Sequence, residues 1–286
     1  MSDSATRSGN RRRLPVALRV GAALLSVFVG MALVSLVWTP SSSEGIDVAA
    51  RLAPPGSEGH ILGTDRLGRD VLTQIMSGAR NSLMVSVVAT LAALIPGLAL
   101  GLLVVAGSSR WQFVMSRVVD LGVALPGILV ALVLATAIGP GNVAAMAAIA
   151  VWFVPILARL MIGPARQILA YDYVEAAYAY GRSRWFVLMR HVLPNIRSLI
   201  IVQVTIMFSL AINVEAALSY LGVGAQRPTP SWGRMLYEGQ PFIQDAPHLM
   251  IYPGLAITLT VLAYNLVGDG MRTWFDPQQK AKAVAR

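Results

Sequence analysis

Few side chains in this sequence carry reactive chemistry, and Glu215 is the most conspicuous of them. It stands inside the apolar run 199–221, where a carboxylate is costly and faces a cavity or a partner. There it suits binding the amino group of a cargo, carrying a proton, or simply hydrogen-bonding backbone at the end of a helix. Asp120 has Arg117 three residues before it, the spacing of an ion pair on one helix face. A secondary transporter or channel using Glu215 and Asp120 as proton carriers is the rival reading. That reading calls for an internal repeat and a discontinuous helix pair, and the sequence displays neither.

Other chemistries lack their parts. A phosphate-binding loop needs glycines ending in Gly-Lys-Ser/Thr, so that backbone amides and an ammonium group cradle the phosphates. The only lysines are Lys280 and Lys282, near the C-terminus, so this chain has no ATP site of its own. His60, His191 and His248 are isolated and do not form the His-x-x-x-His spacing of a metal or haem ligand pair. The sequence contains no cysteine, which removes disulfides, thiolate nucleophiles and sulfur-ligated metals. No nucleophile and base fall at matched depth for an intramembrane enzyme.

The elements that carry these residues are oily. Of 286 residues, 56% are hydrophobic and 13% charged, outside the balance of a soluble domain. Six windows suffice to cross about 30 Å of hydrocarbon: residues 15–38, 83–107, 118–138, 143–162, 199–221 and 249–267. The first follows Arg11, Arg12 and Arg13 but is longer than a signal-peptide core and has no small-x-small cleavage site after it. It reads as a retained helix.

The net charge of +9 follows membrane topology. Basic residues gather in both tails, in the 108–117 connection and around residues 159–197, and the positive-inside rule therefore sets both termini in the cytoplasm. This spread, with no nucleic-acid-binding motif, excludes a nucleic-acid partner; lipid is the surrounding medium. The organisation reads as a cytoplasmic tail (1–14), an N-terminal span (15–38), an extracytoplasmic loop (39–82), a five-helix core (83–270) and a second tail (271–286). Within the loop, LGTDRLGRDVLTQIM predicts a surface amphipathic helix capped by Thr64 or Asp65, with Leu67, Val71, Leu72 and Ile75 on one face. Gly97 and Gly101 have the spacing of a close helix contact.

The cytoplasmic segment DYVEAAYAYGRSRWFVLMRHVLPN, residues 172–195, interrupts the oil. Leu169, Tyr173, Ala176, Ala177 and Tyr180 recur at helical spacing, Gly181 supplies a stop that tolerates positive φ, and Ser183 caps a second helix striped by Trp185, Leu188, Met189 and Val192. Pro194 ends or kinks that helix before the next span. Aromatic and small apolar groups flanked by Arg182, Arg184 and Arg190 suit docking into a cleft of another protein. A helix resting on lipid headgroups is the plainer alternative.

The order Glu175-Ala176-Ala177, Gly181, then Leu193-Pro194 resembles the EAA loop (163–197) of ABC importer permeases, with His191 standing where that pattern has an aliphatic residue. GTDRLGRDVLTQIMSGARNSL (63–83), EAALSYLGVGAQRPTPSWGRML (215–236) and YPGLAITLTVLAYNLVGDGMRTWFDP (252–277) resemble the C-type permeases of the dipeptide/oligopeptide/nickel transporter family. Together these blocks cover nearly all of 60–277. The resemblance implies an all-α polytopic membrane protein with the type I importer permease fold, pairing with a homologous permease subunit as a heterodimer. It implies two ATPase subunits that bind ATP and Mg, an extracytoplasmic substrate-binding protein, and the bacterial inner membrane as location. Short peptides are the expected cargo, and no cofactor is expected in this chain. The same resemblance assigns ATPase coupling to Tyr173, Glu175, Ala176, Ala177, Tyr178, Gly181, Arg182, Ser183, Arg184 and Trp185. It favours a structural role for Glu215, beside Leu218-Ser219-Tyr220-Leu221-Gly222.

Overall fold

The computed structural model describes residues 14–42 and 45–275; the tail residues Arg7, Arg11–Arg13, Lys280 and Lys282 lie outside the described residues. The described chain is built from α1 (Val16–Val34), α2 (Val71–Ala106), α3 (Ser109–Ala124), α4 (Gly127–Ile138), α5 (Asn142–Leu169), α6 (Asp172–Ala179), α7 (Arg184–Val187), α8 (Leu193–Tyr220), α9 (Trp232–Gly239) and α10 (His248–Phe275). Among the described residues there is no β-strand, only the isolated bridges Ser57–His60 and Thr64–Asp70. Among the described residues five helices are long and apolar enough to cross a membrane, or six if the bent α3–α4 pair counts as one span.

α2 is the spine. Its 36 residues make a rod of about 54 Å, and three apolar clusters are strung along it. One joins α1, α8, α9 and α10 around its first turns. The second gathers α4, α5 and α8 about its middle. The third packs α3, α5, the turn Leu188–Val192 and the start of α8 against its C-terminal turns. Gly97 and Gly101 form the contact that their spacing foretells, within the chain: a Cβ on Gly97 would stand 2.9 Å from the Cβ of Leu157 on α5.

Three expectations are corrected. The surface amphipathic helix does not exist as a separate element, and the five-helix core begins earlier than residue 83. Residues 71–82 are the first turns of α2, and most of their side chains are buried. The cap is Asp70, whose carboxylate accepts from the Thr73 amide at 2.7 Å, while Thr64 and Asp65 sit in the preceding loop. Surface and interior helices share the 3.6-residue period; here α1, α8 and α9 cover the faces that the sequence leaves open to solvent.

The third window is not one continuous helix. α3 and α4 meet at 83° across Leu125-Pro126, so a discontinuous helix pair is present after all. Proline lacks the amide for the next helical bond and drives its predecessor extended; Leu125 has ψ 126°.

The second helix of the 172–195 segment does not end at Pro194. α7 passes through a π-turn at Leu188–Val192 into α8, and the run 184–220 counts as one span. Pro194 falls in the first turn of α8, where its missing N–H costs little.

Candidate functional site

The exposed face at the 171–195 end is assembled from three local decisions. α6 has Asp172 and Glu175 in its first turn, where carboxylates favour the positive end of the helix dipole. It stops at Gly181, with φ 75°. The Arg182 amide donates to Ala177 O at 3.1 Å and the Gly181 amide to Tyr178 O at 2.9 Å, a pair of bonds that satisfies the last carbonyls and reverses the chain. Ser183 then caps α7, its Oγ accepting from the Phe186 amide at 3.2 Å.

The reversal sorts the side chains into two sets. Val174, Val187, Leu188 and Val192 are fully buried and pin the segment to the bundle. Tyr173, Tyr178, Phe186 and Met189 remain exposed, with Trp185 at 50% and Tyr180 at 86% exposure. The periodic stripe of Tyr173, Ala176 and Tyr180 is thus the free face, and Val174 is the anchor. Ala177 is half-buried.

Aromatic contacts stiffen this face. Tyr171 stacks on Tyr173 at 5.8 Å, and the Arg182 guanidinium lies 4.9 Å over the Phe186 ring. His191 meets Tyr173 edge-on at 5.8 Å and Phe186 at 6.0 Å, so this departure from the EAA pattern joins α6 and α7 to the turn that precedes α8. Asn195 Nδ2 donates to His191 O at 2.6 Å. Arg184 turns back and donates to Val105 O at 3.4 Å, tying the segment to the end of α2. Glu175 is exposed and has no ion pair among the described residues. Tyr171, Phe186 and Asn195 belong to the same surface as Met189, and only a three-dimensional count of exposed faces recruits them.

Glu215 lies toward the opposite end, with 1% exposure. Its Oε1 accepts from Ser219 Oγ at 2.7 Å, and that hydroxyl in turn accepts from the Ala225 amide at 3.0 Å. Its Oε2 has no hydrogen bond among the described residues. The carboxylate thereby fixes the chain that leaves α8. Next to it Trp232, fully buried, donates from Nε1 to Ile75 O at 3.1 Å and meets Phe28 of α1 edge-on at 5.7 Å, wedging α9 against α2 and α1.

Sequence reading missed the ion network beside this wedge. Glu238 receives Arg69 at 2.9 Å, Arg227 at 2.8 Å and Arg234 at 2.9 Å, and Arg69 also pairs with Asp65 at 2.6 Å. Burial opposes the charge on Glu238, but the hydrogen bonds from Arg227 and Arg234 and the nearby positive charges outweigh it and bring the carboxyl down to about 2. The i,i+4 spacing of Arg234 and Glu238 was the one visible signal; Arg69 and Arg227 come from elsewhere in the chain.

Asp120 pairs with Arg117 at 3.6 Å, the expected partner, and also with Arg159 of α5 at 3.3 Å. Glu215 sits behind α9 and Asp120 lines a separate cleft between α3 and α5. His60 Nδ1 lies 3.1 Å from Asp70 Oδ1, and His248 packs on Tyr252.

Comparison with known proteins places this architecture. Residues 93–281 match the family described as "Binding-protein-dependent transport system inner membrane component". The chain is 40% identical over 264 residues to the dipeptide transport system permease protein DppC of Alkalihalophilus pseudofirmus, covering 92% of this chain and 86% of that protein. It is 38% identical over 242 residues to the glutathione transport system permease protein GsiD of Pectobacterium atrosepticum, covering 85% and 80%. A chain of the MetNI methionine ABC transporter, solved in inward facing conformations, has the same fold, with a TM-score of 0.58 at 19% identity over 68% of this chain and 94% of that one. A helical membrane bundle with a rigid exposed segment before α8, and relatives of this similarity across nearly its whole length, place the chain in the family of binding-protein-dependent transport system inner membrane components, the permease subunits of ABC importers.

Proposed function

We propose that this subunit forms half of the translocation pathway of an ATP-driven importer of short peptides and receives its driving force through the 171–195 surface. The observation that carries the reading is the division of that segment: a fully buried anchor of Val174, Val187, Leu188 and Val192 beneath an exposed face of Tyr173, Tyr180, Trp185 and Met189. Rigid aromatic groups with an arginine beside them suit a protein interface. The partner is an ATPase subunit that supplies ATP and Mg, with Tyr173, Glu175, Ala176, Tyr178, Arg182 and Trp185 facing it. Gly181, Ser183, Ala177 and Arg184 shape and anchor the segment.

Both termini and the 171–195 segment lie in the cytoplasm, and the Glu238 network faces outward, toward a substrate-binding protein. A homologous permease subunit completes the pathway as a heterodimer. The peptide cargo rests on the names of relatives, which include dipeptide and glutathione permeases. ATP binding closes the two ATPases, moves the coupling segment of each permease and switches the pathway between inward and outward openings. Because α7 continues into α8 through the π-turn, displacement of the segment reaches the span without a loop to absorb it.

Glu175→Lys or Gly181→Pro is expected to leave the protein inserted in the membrane while uncoupling peptide uptake from ATP turnover. The check is ATP hydrolysis and uptake by the reconstituted complex. ATP-driven uptake retained in both variants would refute the coupling role.

A further inference from the structure

The cleft between α3 and α5 is lined by Phe113, Ser116, Arg117, Asp120, Arg159 and Arg166, and encloses about 250 Å³. Three guanidiniums and one carboxylate line it. Arg117 and Arg159 share Asp120, Arg166 Nη2 donates to Ser116 Oγ at 3.4 Å, and Arg117 leans over the Phe113 ring at 5.2 Å. Each guanidinium carries five N–H donors, so the cleft keeps a surplus of positive charge and many unused donors. Arg117 is 67% and Arg159 52% exposed.

Depth gives this surplus a meaning. The 28 residues of α5 extend about 42 Å against about 30 Å of hydrocarbon. Arg159 lies about 15 Å along the axis from Leu169. Even if the whole excess of about 12 Å projected into the cytoplasm, Arg159 would remain at hydrocarbon level. A guanidinium at that level faces the bundle interior or a polar cavity and pairs with another charge, as Arg159 does with Asp120 across the cleft. Arg166, a turn or two nearer the cytoplasm, continues the same basic track.

We infer that this cleft is a transit site for an oxyanion, the free carboxylate of the cargo, on the cytoplasmic half of the pathway. Asp120 holds the forks of Arg117 and Arg159 in place while leaving donors for a two-point grip on a carboxylate. The grip stays shallow and open, as release into the cytoplasm requires. The inference rests on the reading of the chain as a peptide-importer permease. A lipid phosphate offers related oxyanion chemistry, and the test separates the two sources.

The test uses the whole nucleotide-free complex in nanodiscs of neutral lipid, with phenylglyoxal as the arginine reagent and modification read by mass spectrometry. Trialanine is expected to slow modification of Arg159 and Arg166 severalfold, trialanine amide is not, and Arg110 at the same end responds to neither. Arg159→Gln is expected to lower trialanine uptake by the complex about tenfold, the loss of one hydrogen bond to a charged group, and Arg159→Lys to recover part of it. Equal protection by acid and amide, or protection by neither, overturns the site. Protection that arises from phosphatidylglycerol in the nanodisc and is not displaced by trialanine assigns the cleft to lipid and overturns it as well. Failure of the unmodified complex to import trialanine with intact protection sinks the peptide-importer reading alone; import without protection sinks the carboxylate site alone.

Discussion

At the scale of single residues, Glu238 stands at the centre of the largest recorded convergence of arginines on one carboxylate among the described residues. Three arginines from two separate segments of the chain converge on it, so Glu238→Gln leaves their charges facing one another in a partly buried place. Breaking one side of such a network costs on the order of 3 kcal/mol, expected as an earlier thermal unfolding transition of the detergent-solubilised protein at neutral pH. The pH dependence has a definite sign. The carboxyl falls from an ordinary value of 4.5 to about 2 on folding; its contribution is therefore complete above about 4.5 and disappears as pH drops from there toward 2. A Gln variant should lose that acid limb of the stability profile, and an unchanged limb would exclude Glu238 as its source. Sequence alone paired Asp120 with Arg117 because the two are neighbours in the chain. Glu238 escaped notice because Arg69 is brought to it only by the fold.

At the scale of elements, the membrane helices were legible and their junctions were not. Apolar length locates α1, α5, α8 and α10, and Gly181 with Ser183 marks the reversal between α6 and α7, since both depend on local backbone chemistry. What failed depended on neighbours. Residues 71–82 look half-polar because they include Thr73, Gln74, Ser77, Asn81 and Ser82, all of them buried, and period alone does not distinguish that from a wet surface. The Leu125-Pro126 bend was masked by continuous hydropathy. Trp232 offers the element-scale test, because its ring holds α9 between Phe28 and the first turns of α2. Trp232→Ala is expected to cost about 3–5 kcal/mol, with amide exchange rising first in residues 225–242. Exchange that rises evenly through every helix would show that α9 is not an independently loosened wedge.

At the scale of the whole molecule, the bundle carries two unlike ends joined by long uninterrupted helices. The aromatic face at 171–195 and the ion-paired cap around Glu238 are the terminal features of the same rods, α8 among them, so a load on one end is transmitted by helices with few joints. This arrangement only works as an importer if the two ends lie on opposite sides of the membrane, a consequence of the charge distribution that can be measured directly. The sequence contains no cysteine, so each single substitution gives one reactive thiol. Tyr180→Cys and Tyr237→Cys both occupy exposed positions on solvent-facing segments. In sealed vesicles of known orientation, a membrane-impermeant maleimide is expected to label Tyr180→Cys only from the cytoplasmic side and Tyr237→Cys only from the other. Restoring the ATPase subunits should slow labelling of Tyr180→Cys severalfold and leave Tyr237→Cys untouched, because the proposed contact covers one end alone. Labelling of both thiols from the same side would break the topology, and labelling of Tyr180→Cys that ignores the ATPases would remove the 171–195 face from the coupling path.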